Sequence, residues 1–80
     1  MPTSATEKII FIGLNIGYYR RVRHLTQVEL AEAVGISSNY LSQVERGYKS
    51  ISLVKLLKIA EVLGVDEKNF FDFSKSPNLI

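Results

Sequence analysis

Residues 27–47 read QVELAEAVGISSNYLSQVERG and predict two short helices joined by a tight turn. Thr26, just before this stretch, is a good helix N-cap, and Glu29 completes a capping box with it. Gly35 can adopt the left-handed conformation that ends a helix, and Ser37 can cap the next one. The apolar residues recur at helical spacing, so each helix has one side to bury. They are Leu30, Ala31, Val34, Leu41 and Val44.

The outer side of the second helix carries amide and hydroxyl groups, and no acidic residue occurs there before Glu45. Asn and Gln can form two hydrogen bonds with adenine in the major groove, and Ser can donate to or accept from any base. A solvated polar face is the alternative interpretation, but such faces more often carry Glu and Lys pairs. We therefore predict contacts with DNA base edges. The predicted base-contacting residues are Ser37, Ser38, Asn39 and Gln43.

This stretch resembles the helix-turn-helix of phage Cro and repressor proteins, also called the xenobiotic-response-element family. The resemblance extends from about residue 12 to residue 71, which is most of the chain. It implies an all-α, compact, five-helix, lambda-repressor-like domain that binds double-stranded DNA. The matching residues are Gln27, Ala31, Gly35, Ile36, Leu41, Val44 and the Glu45-Arg46-Gly47 ending.

Helix-start signals recur along the chain and support five helices. Four N-cap candidates each follow an apolar residue and precede another at the fourth helical position, which is the hydrophobic staple. These caps are Thr26, Ser37, Ser52 and Asp66. The predicted helices span 6–24, 27–34, 38–45, 53–63 and 67–72, and the fourth should bury Leu53, Leu56, Leu57, Ala60 and Leu63. We expect one domain over residues 6–73, with its motif at 27–46 and flexible ends at 1–5 and 74–80.

Composition limits the classes of protein that this chain can belong to. Eighty residues suffice for one small domain whose core is marginal, so self-association should help its stability. The chain has no Cys and no run near the ~20 apolar residues of a membrane span, which fits a cytoplasmic protein. One His, no Cys and no evident carboxylate pair argue against an enzyme. We expect no metal, cofactor, membrane partner or small-molecule ligand.

The charge distribution is more informative than the net charge of +2. Residues 16–58 carry seven basic and three acidic side chains, whereas residues 59–80 carry two basic and four acidic ones. The middle of the chain should therefore face the DNA phosphates and the C-terminal part should face away. We predict phosphate contacts from Gln27, at a helix start whose dipole favours anions, and from Ser42, Arg46 and Lys49.

Other roles are implied by the resemblance alone. Arg20 and Glu45 align with a structural ion pair between the first helix and the end of the recognition helix. Lys49 lies in a loop that follows the DNA backbone in the family. His24 occupies a position where the family often has a helix-ending glycine. The family also implies a homodimer on a palindromic operator, and Val62, Val65, Phe70 and Phe71 are its predicted interface.

The sequence allows several interpretations of the biological role. The stretch ERGYKSISLVKLLKIAEVLGV, followed by Phe70 and Phe71, is more similar to the controller proteins of restriction–modification systems than to phage repressors. The alternatives are a phage-type repressor, and an antitoxin or other protein-interaction module with the same fold. The main prediction is that the chain is a sequence-specific DNA-binding transcriptional regulator.

Overall fold

The computed structural model describes residues 3–74, which form helices joined by turns and contain no β-strand. Four α-helices are followed by one 3-10 helix. They are α1 (Ala5–Val22), α2 (Gln27–Val34), α3 (Ser38–Glu45), α4 (Leu53–Leu63) and the 3-10 helix (Glu67–Phe71). Residues 1, 2 and 75–80, which include most of the predicted C-terminal tail, lie outside the described part of the chain.

The capping signals fix the helix starts where the sequence predicts them. The side chains of Thr26, Ser37, Ser52 and Asp66 each accept a hydrogen bond from a backbone amide at the start of the following helix. The staple residues pack accordingly. Leu25, Ile36, Ile51 and Val65 are half-buried against the core, and Leu30, Leu41, Leu56 and Phe70 are buried within it.

Helix α1 begins at Ala5, one residue before its predicted start, because Ser4 and Glu7 form a further capping box. The Glu7 carboxylate accepts hydrogen bonds from the amides of Thr3 and Ser4 and from the Ser4 hydroxyl. These hydrogen bonds, that of Thr3 first, hold the pKa of Glu7 below its ordinary value. The same helix ends at Val22, two residues before the predicted end.

The turn after α1 explains that earlier end. His24 has a φ of 60°, so a non-glycine residue occupies the left-handed region here. Its amide donates to the carbonyl oxygen of Arg21, and the amide of Leu25 donates to that of Arg20. The chain therefore leaves the helix in the way that a glycine would allow without strain.

The prediction of five α-helices is wrong at the last element. The segment after Asp66 is a 3-10 helix of five residues, in which the Asn69 amide donates to the Asp66 carbonyl oxygen at 2.9 Å. Such a short segment gains few α-type hydrogen bonds, and the tighter i to i+3 pattern is common in short pieces. Its main contribution to packing is Phe70, which is fully buried.

The buried side of α4 also differs from the prediction. Leu56, Ile59, Ala60 and Leu63 are buried, and they follow the i, i+3, i+4, i+7 spacing of a single helical stripe. Leu53 and Leu57, which the sequence analysis assigned to this stripe, are 65% and 43% exposed. Both lie beside this stripe, where α4 is largely exposed.

Candidate nucleic-acid interface

The predicted base-contacting residues lie on the accessible side of α3. Ser38 and Asn39, in its first turn, are exposed, and Gln43 one turn later is half-buried. Ser37 is exposed as well, but its hydroxyl already accepts a hydrogen bond from the Tyr40 amide at 3.0 Å as the N-cap. The tip of α3 thus presents amide and hydroxyl groups that the protein's own packing leaves free.

A close approach of two helix backbones fixes the position of α3. Gly13 of α1 is buried, and a Cβ atom added there would overlap the carbonyl oxygen of Val44. The side chains of Leu41 and Val44 are 0% and 2% exposed, so the opposite side of α3 is held in the core. The glycine therefore allows α1 and α3 to pack closely enough to hold the polar tip of α3 outward.

Glu45, at the end of α3, is a buried acid surrounded by donors. Arg20 contacts its carboxylate with two hydrogen bonds, Nε to Oε2 at 2.8 Å and the second guanidinium nitrogen to Oε1 at 3.0 Å. Arg20 also donates to the Leu25 carbonyl oxygen at 2.8 Å. The side chains of Arg20 and Glu45 are 12% and 7% exposed, and this planar two-point pairing suits a desolvated carboxylate. The pair that the resemblance implied is thus present as a structural contact.

Gln27 joins the same cluster. Its side-chain amide donates to Oε1 of Glu45 at 3.0 Å, which directs the side chain toward the protein. The second side-chain N–H remains for a phosphate, and so does the backbone amide, which donates to no group within residues 3–74. If Gln27 contacts a phosphate as predicted, its donors are the second side-chain N–H and the backbone amide.

The loop after α3 carries the basic groups predicted to contact phosphates. Arg46 and Lys49 are exposed, and the Arg46 guanidinium lies 5.8 Å from the centre of the exposed Tyr48 ring. Ser42 is half-buried on α3. Because Glu45 is neutralised by Arg20, no uncompensated acid lies in sequence between Ser37 and Ser52. Positive charge thus predominates in the segment from Ser37 to Ser52.

The predicted dimer residues do not form one exposed set. Val62 and Phe71 are 40% and 45% exposed, and Val65 is half-buried. The assignment of Phe70 to the interface is corrected by the structure, because Phe70 is fully buried. Its ring packs edge-to-face against that of Tyr19, with 6.1 Å between the ring centroids. It belongs to the core of a single chain and has no surface to offer a partner.

A second apolar surface, which the sequence analysis missed, adjoins Phe71. Ile9, Leu53 and Phe71 surround a groove of about 180 Å³ whose floor includes Val44 and Leu56. Leu57 on α4 is exposed on the same helix as Leu53. Helical periodicity alone could not find this surface, because it does not say which of two adjacent apolar stripes faces the core.

Several polar anchors also escaped the sequence analysis. Asn15 on α1 is buried and donates to the carbonyl oxygens of Phe70 and Asp72 at 2.9 and 3.2 Å. Arg23, although exposed, donates to the carbonyl oxygens of Leu63 and Gly64 and so caps α4. These contacts join residues 40 or more positions apart in sequence, and no local pattern encodes them.

Two negative observations concern residues 3–74. None of their helices is long and apolar enough to cross a membrane. Within the same residues, no group of three or more His, Cys, Asp or Glu side chains is placed to hold a metal ion.

Comparison with known proteins assigns the fold to a family. Residues 16–70 match the HTH_3 family, described as helix-turn-helix. The transcriptional regulator RamB of Mycobacterium tuberculosis is 35% identical over 60 residues, which are 75% of this chain and 13% of RamB. The chain thus spans a small part of that regulator. The control protein C.BamHI of Bacillus amyloliquefaciens is 34% identical over 55 residues, which are 69% of this chain and 68% of that protein.

A solved structure supports the same assignment. The restriction–modification controller protein C.AhdI from Aeromonas hydrophila superposes with a TM-score of 0.76 and 31% sequence identity. The match covers 81% of this chain and 98% of that one.

Proposed function

This chain belongs to the helix-turn-helix family of DNA-binding transcriptional regulators, and we propose that it binds a palindromic operator as a homodimer. In this proposal α3 enters the major groove with its N-terminal end foremost. Ser38, Asn39 and Gln43 contact base edges, with Ser37 beside them. Regulation is exerted through operator binding, and the chain itself catalyses no reaction.

One observation carries the proposal. The exposed side of α3 offers amides and hydroxyls to a ligand, while its buried side is fixed by Gly13 and by the Arg20–Glu45 pair. A rigid helix with a free polar tip suits base recognition, because little conformational freedom is lost on binding. Glu and Lys pairs, which would suit a merely solvated face, do not occur on this tip.

The proposed phosphate contacts come from both ends of the helix-turn-helix motif in sequence. Gln27 lies at the N-terminus of α2, where free amides and the helix dipole attract an anion. Arg46 and Lys49 lie beyond the C-terminus of α3, and Ser42 lies between the two groups. Contacts at both ends of the motif set the register of α3 in the groove without specifying sequence.

The dimer follows from two considerations. The exposed Val62, Phe71, Leu53 and Leu57, with the half-buried Val65, leave more apolar surface than a small monomer needs. The domain measures 32 × 21 × 21 Å, so two adjoining copies can present their α3 helices to successive major grooves about 34–36 Å apart. A twofold dimer thus supports recognition of two half-sites about one helical turn apart.

Among the biological roles, we favour the controller of a restriction–modification system. The similarity to C.BamHI covers about two thirds of both chains, and that to C.AhdI covers 98% of the controller. The role is tested by gene adjacency: a restriction endonuclease gene and a methyltransferase gene beside this one support it. A neighbouring toxin gene would favour the antitoxin, and a prophage location would favour the phage repressor.

Selection of bound sequences from a pool of random duplexes tests the DNA-binding function. We expect enrichment of one palindrome, and loss of that enrichment for the Asn39→Ala, Gln43→Ala double variant. Val28→Ala, which shortens an exposed apolar side chain of α2, is the control and should select the same palindrome. Failure to retain any duplex at low salt, together with stable capture of a second protein, would favour the protein-interaction module.

A further inference from the structure

The loop between α3 and α4 is attached to α3 at two points, one on each side of Lys49. The Tyr48 amide donates to the Gln43 carbonyl oxygen at 2.9 Å. The Tyr40 hydroxyl donates to the Ser50 carbonyl oxygen at 2.6 Å. Lys49 is therefore the single residue between two anchors, and both anchors belong to the recognition helix.

The groups between these anchors are free to bind an anion. Lys49 is exposed, and its ammonium forms no hydrogen bond or ion pair within residues 3–74. The amides of Lys49 and Ser50 donate to no acceptor in the same part of the chain. An ammonium group and two neighbouring unpaired amides together form the donor set that binds a phosphate.

Tyr40 is suited to hold this donor set in place. Its ring is half-buried against the core, and its amide is fixed by the N-cap hydroxyl of Ser37. The hydroxyl is thus the tip of a rigid side chain, and its hydrogen bond is the only one that Ser50 receives in residues 3–74. Without it, the loop would be held to α3 only through the Tyr48 amide and the turn around Gly47.

From these contacts we infer that Tyr40 is a positioning residue, which holds Lys49 and the adjacent amides in register with α3 for one DNA phosphate. The inference rests on the proposed DNA-binding function and goes beyond it. It gives Tyr40 a role that needs no direct contact with DNA. It also links the phosphate contact mechanically to the helix that carries Asn39 and Gln43.

A double-mutant cycle with Tyr40→Phe and Lys49→Ala tests this role on the selected operator. Tyr40→Phe should weaken binding about threefold to tenfold, the usual effect of one hydrogen bond, and equally for specific and random duplexes. In the Lys49→Ala background the same change should cost clearly less than in the wild type, because the ammonium is absent and only the two amides remain for Tyr40 to position. Tyr19→Phe removes a hydroxyl from another half-buried tyrosine, on the Phe70 side of α1, and should change nothing.

A measurement on the DNA-free protein separates this inference from the proposed function. The ¹⁵N order parameters of the Lys49 and Ser50 amides should fall in Tyr40→Phe and stay unchanged in Tyr19→Phe. Equal losses from Tyr40→Phe with and without Lys49 would mean a direct DNA contact and would overturn the inference. So would unchanged order parameters. A wild-type protein that binds no duplex would instead refute the proposed function, and the positioning role would fall with it.

Discussion

Gly13 of α1 and Val44 of α3 meet through their backbones, with no room for a side chain between them. A Cβ atom on Gly13 would overlap the Val44 carbonyl oxygen and stand 3.0 Å from its carbonyl carbon. Val44 is next to Glu45 and one residue after Gln43, so this contact fixes the depth at which the recognition helix sits. The fold and the proposed DNA-contacting surface therefore depend on the same glycine.

We expect Gly13→Ala to destabilise the domain by about 1–3 kcal/mol or more, because backbone atoms cannot move aside as a side chain can. The gain in helix propensity, about 1 kcal/mol, is too small to offset the overlap. Urea unfolding followed by circular dichroism measures the change. Gly17→Ala is the control, since its Cβ would meet side-chain atoms of Glu45 and Arg21 at 3.0 and 3.2 Å. Its effect should be within about 1 kcal/mol, and equal losses for both variants would contradict the backbone argument.

Gln43→Ala should weaken operator binding by about 1–3 kcal/mol and relax the preference at one base pair. Lys49→Ala should weaken all duplexes and reduce the slope of log K against log salt by about one unit. Titrations of the operator and of single-base variants at several salt concentrations distinguish the two. If Gln43→Ala weakened binding to all duplexes equally, Gln43 would contact the DNA backbone and not a base. If Lys49→Ala left the salt slope unchanged, Lys49 would not belong to the DNA interface.

Glu45→Ala should lower the free energy of unfolding by about 3 kcal/mol, because it leaves the nearly buried Arg20 without its carboxylate. Gln27 would lose its acceptor as well. Arg20→Lys should also destabilise, since an ammonium cannot form the two parallel hydrogen bonds of a guanidinium. Thermal unfolding provides the measurement, and Glu32→Ala, at an exposed acid of α2, is the control. A Glu45→Ala variant as stable as this control would show that the pair contributes nothing.

The sequence predicted the helix starts well because each one is a local event. A cap residue and the two residues of its staple lie within six consecutive residues, and α2, α3 and α4 have the predicted bounds. Tertiary choices were harder to predict. Helix α4 has two adjacent apolar stripes, and only packing against the other helices decides that Ile59 is buried and Leu57 exposed.

The same distinction applies to the candidate site. Residue types and spacing predicted a polar, accessible tip on α3, because a helix with Ser, Asn and Gln on one side is recognisable locally. The Tyr40 hydroxyl, Arg23 and Asn15 act on backbone carbonyl oxygens 10 to 57 residues away. Any residue type has a carbonyl group, so the sequence carries no signal for such an acceptor. Phe70 was misassigned because apolar character suits a core and a dimer interface equally.

His24→Gly should stabilise the protein, because His24 has a φ of 60°. A left-handed conformation costs a non-glycine residue about 1–2 kcal/mol, and glycine avoids this cost. Glycine's greater conformational freedom in the unfolded chain lowers the stability of the folded state by about 0.5–1 kcal/mol and so offsets part of the gain. The net gain should be about 0.5–1 kcal/mol in urea unfolding. His24→Ala keeps the strain and removes only an exposed ring, so it serves as the control and should give little or no gain. Equal stability of the Gly and Ala variants would show that the turn is not strained.

Phe71→Glu should convert the proposed dimer to monomers, because it places a charge on an apolar surface that would otherwise be desolvated against a partner. Phe71 is 45% exposed and lies beside Leu53 at the mouth of the apolar groove, so a single chain should tolerate the change. Val28→Glu, at a 54% exposed position on α2, introduces the same charge elsewhere and should remain dimeric. Sedimentation velocity gives the oligomeric state, and circular dichroism checks that both variants are folded.

Because a monomer occupies one half-site at a time, Phe71→Glu should lose affinity for the full palindrome while it keeps the wild-type affinity for an isolated half-site. A folded Phe71→Glu dimer would show that the interface lies elsewhere, and weaker binding to the half-site would place Phe71 near the DNA instead.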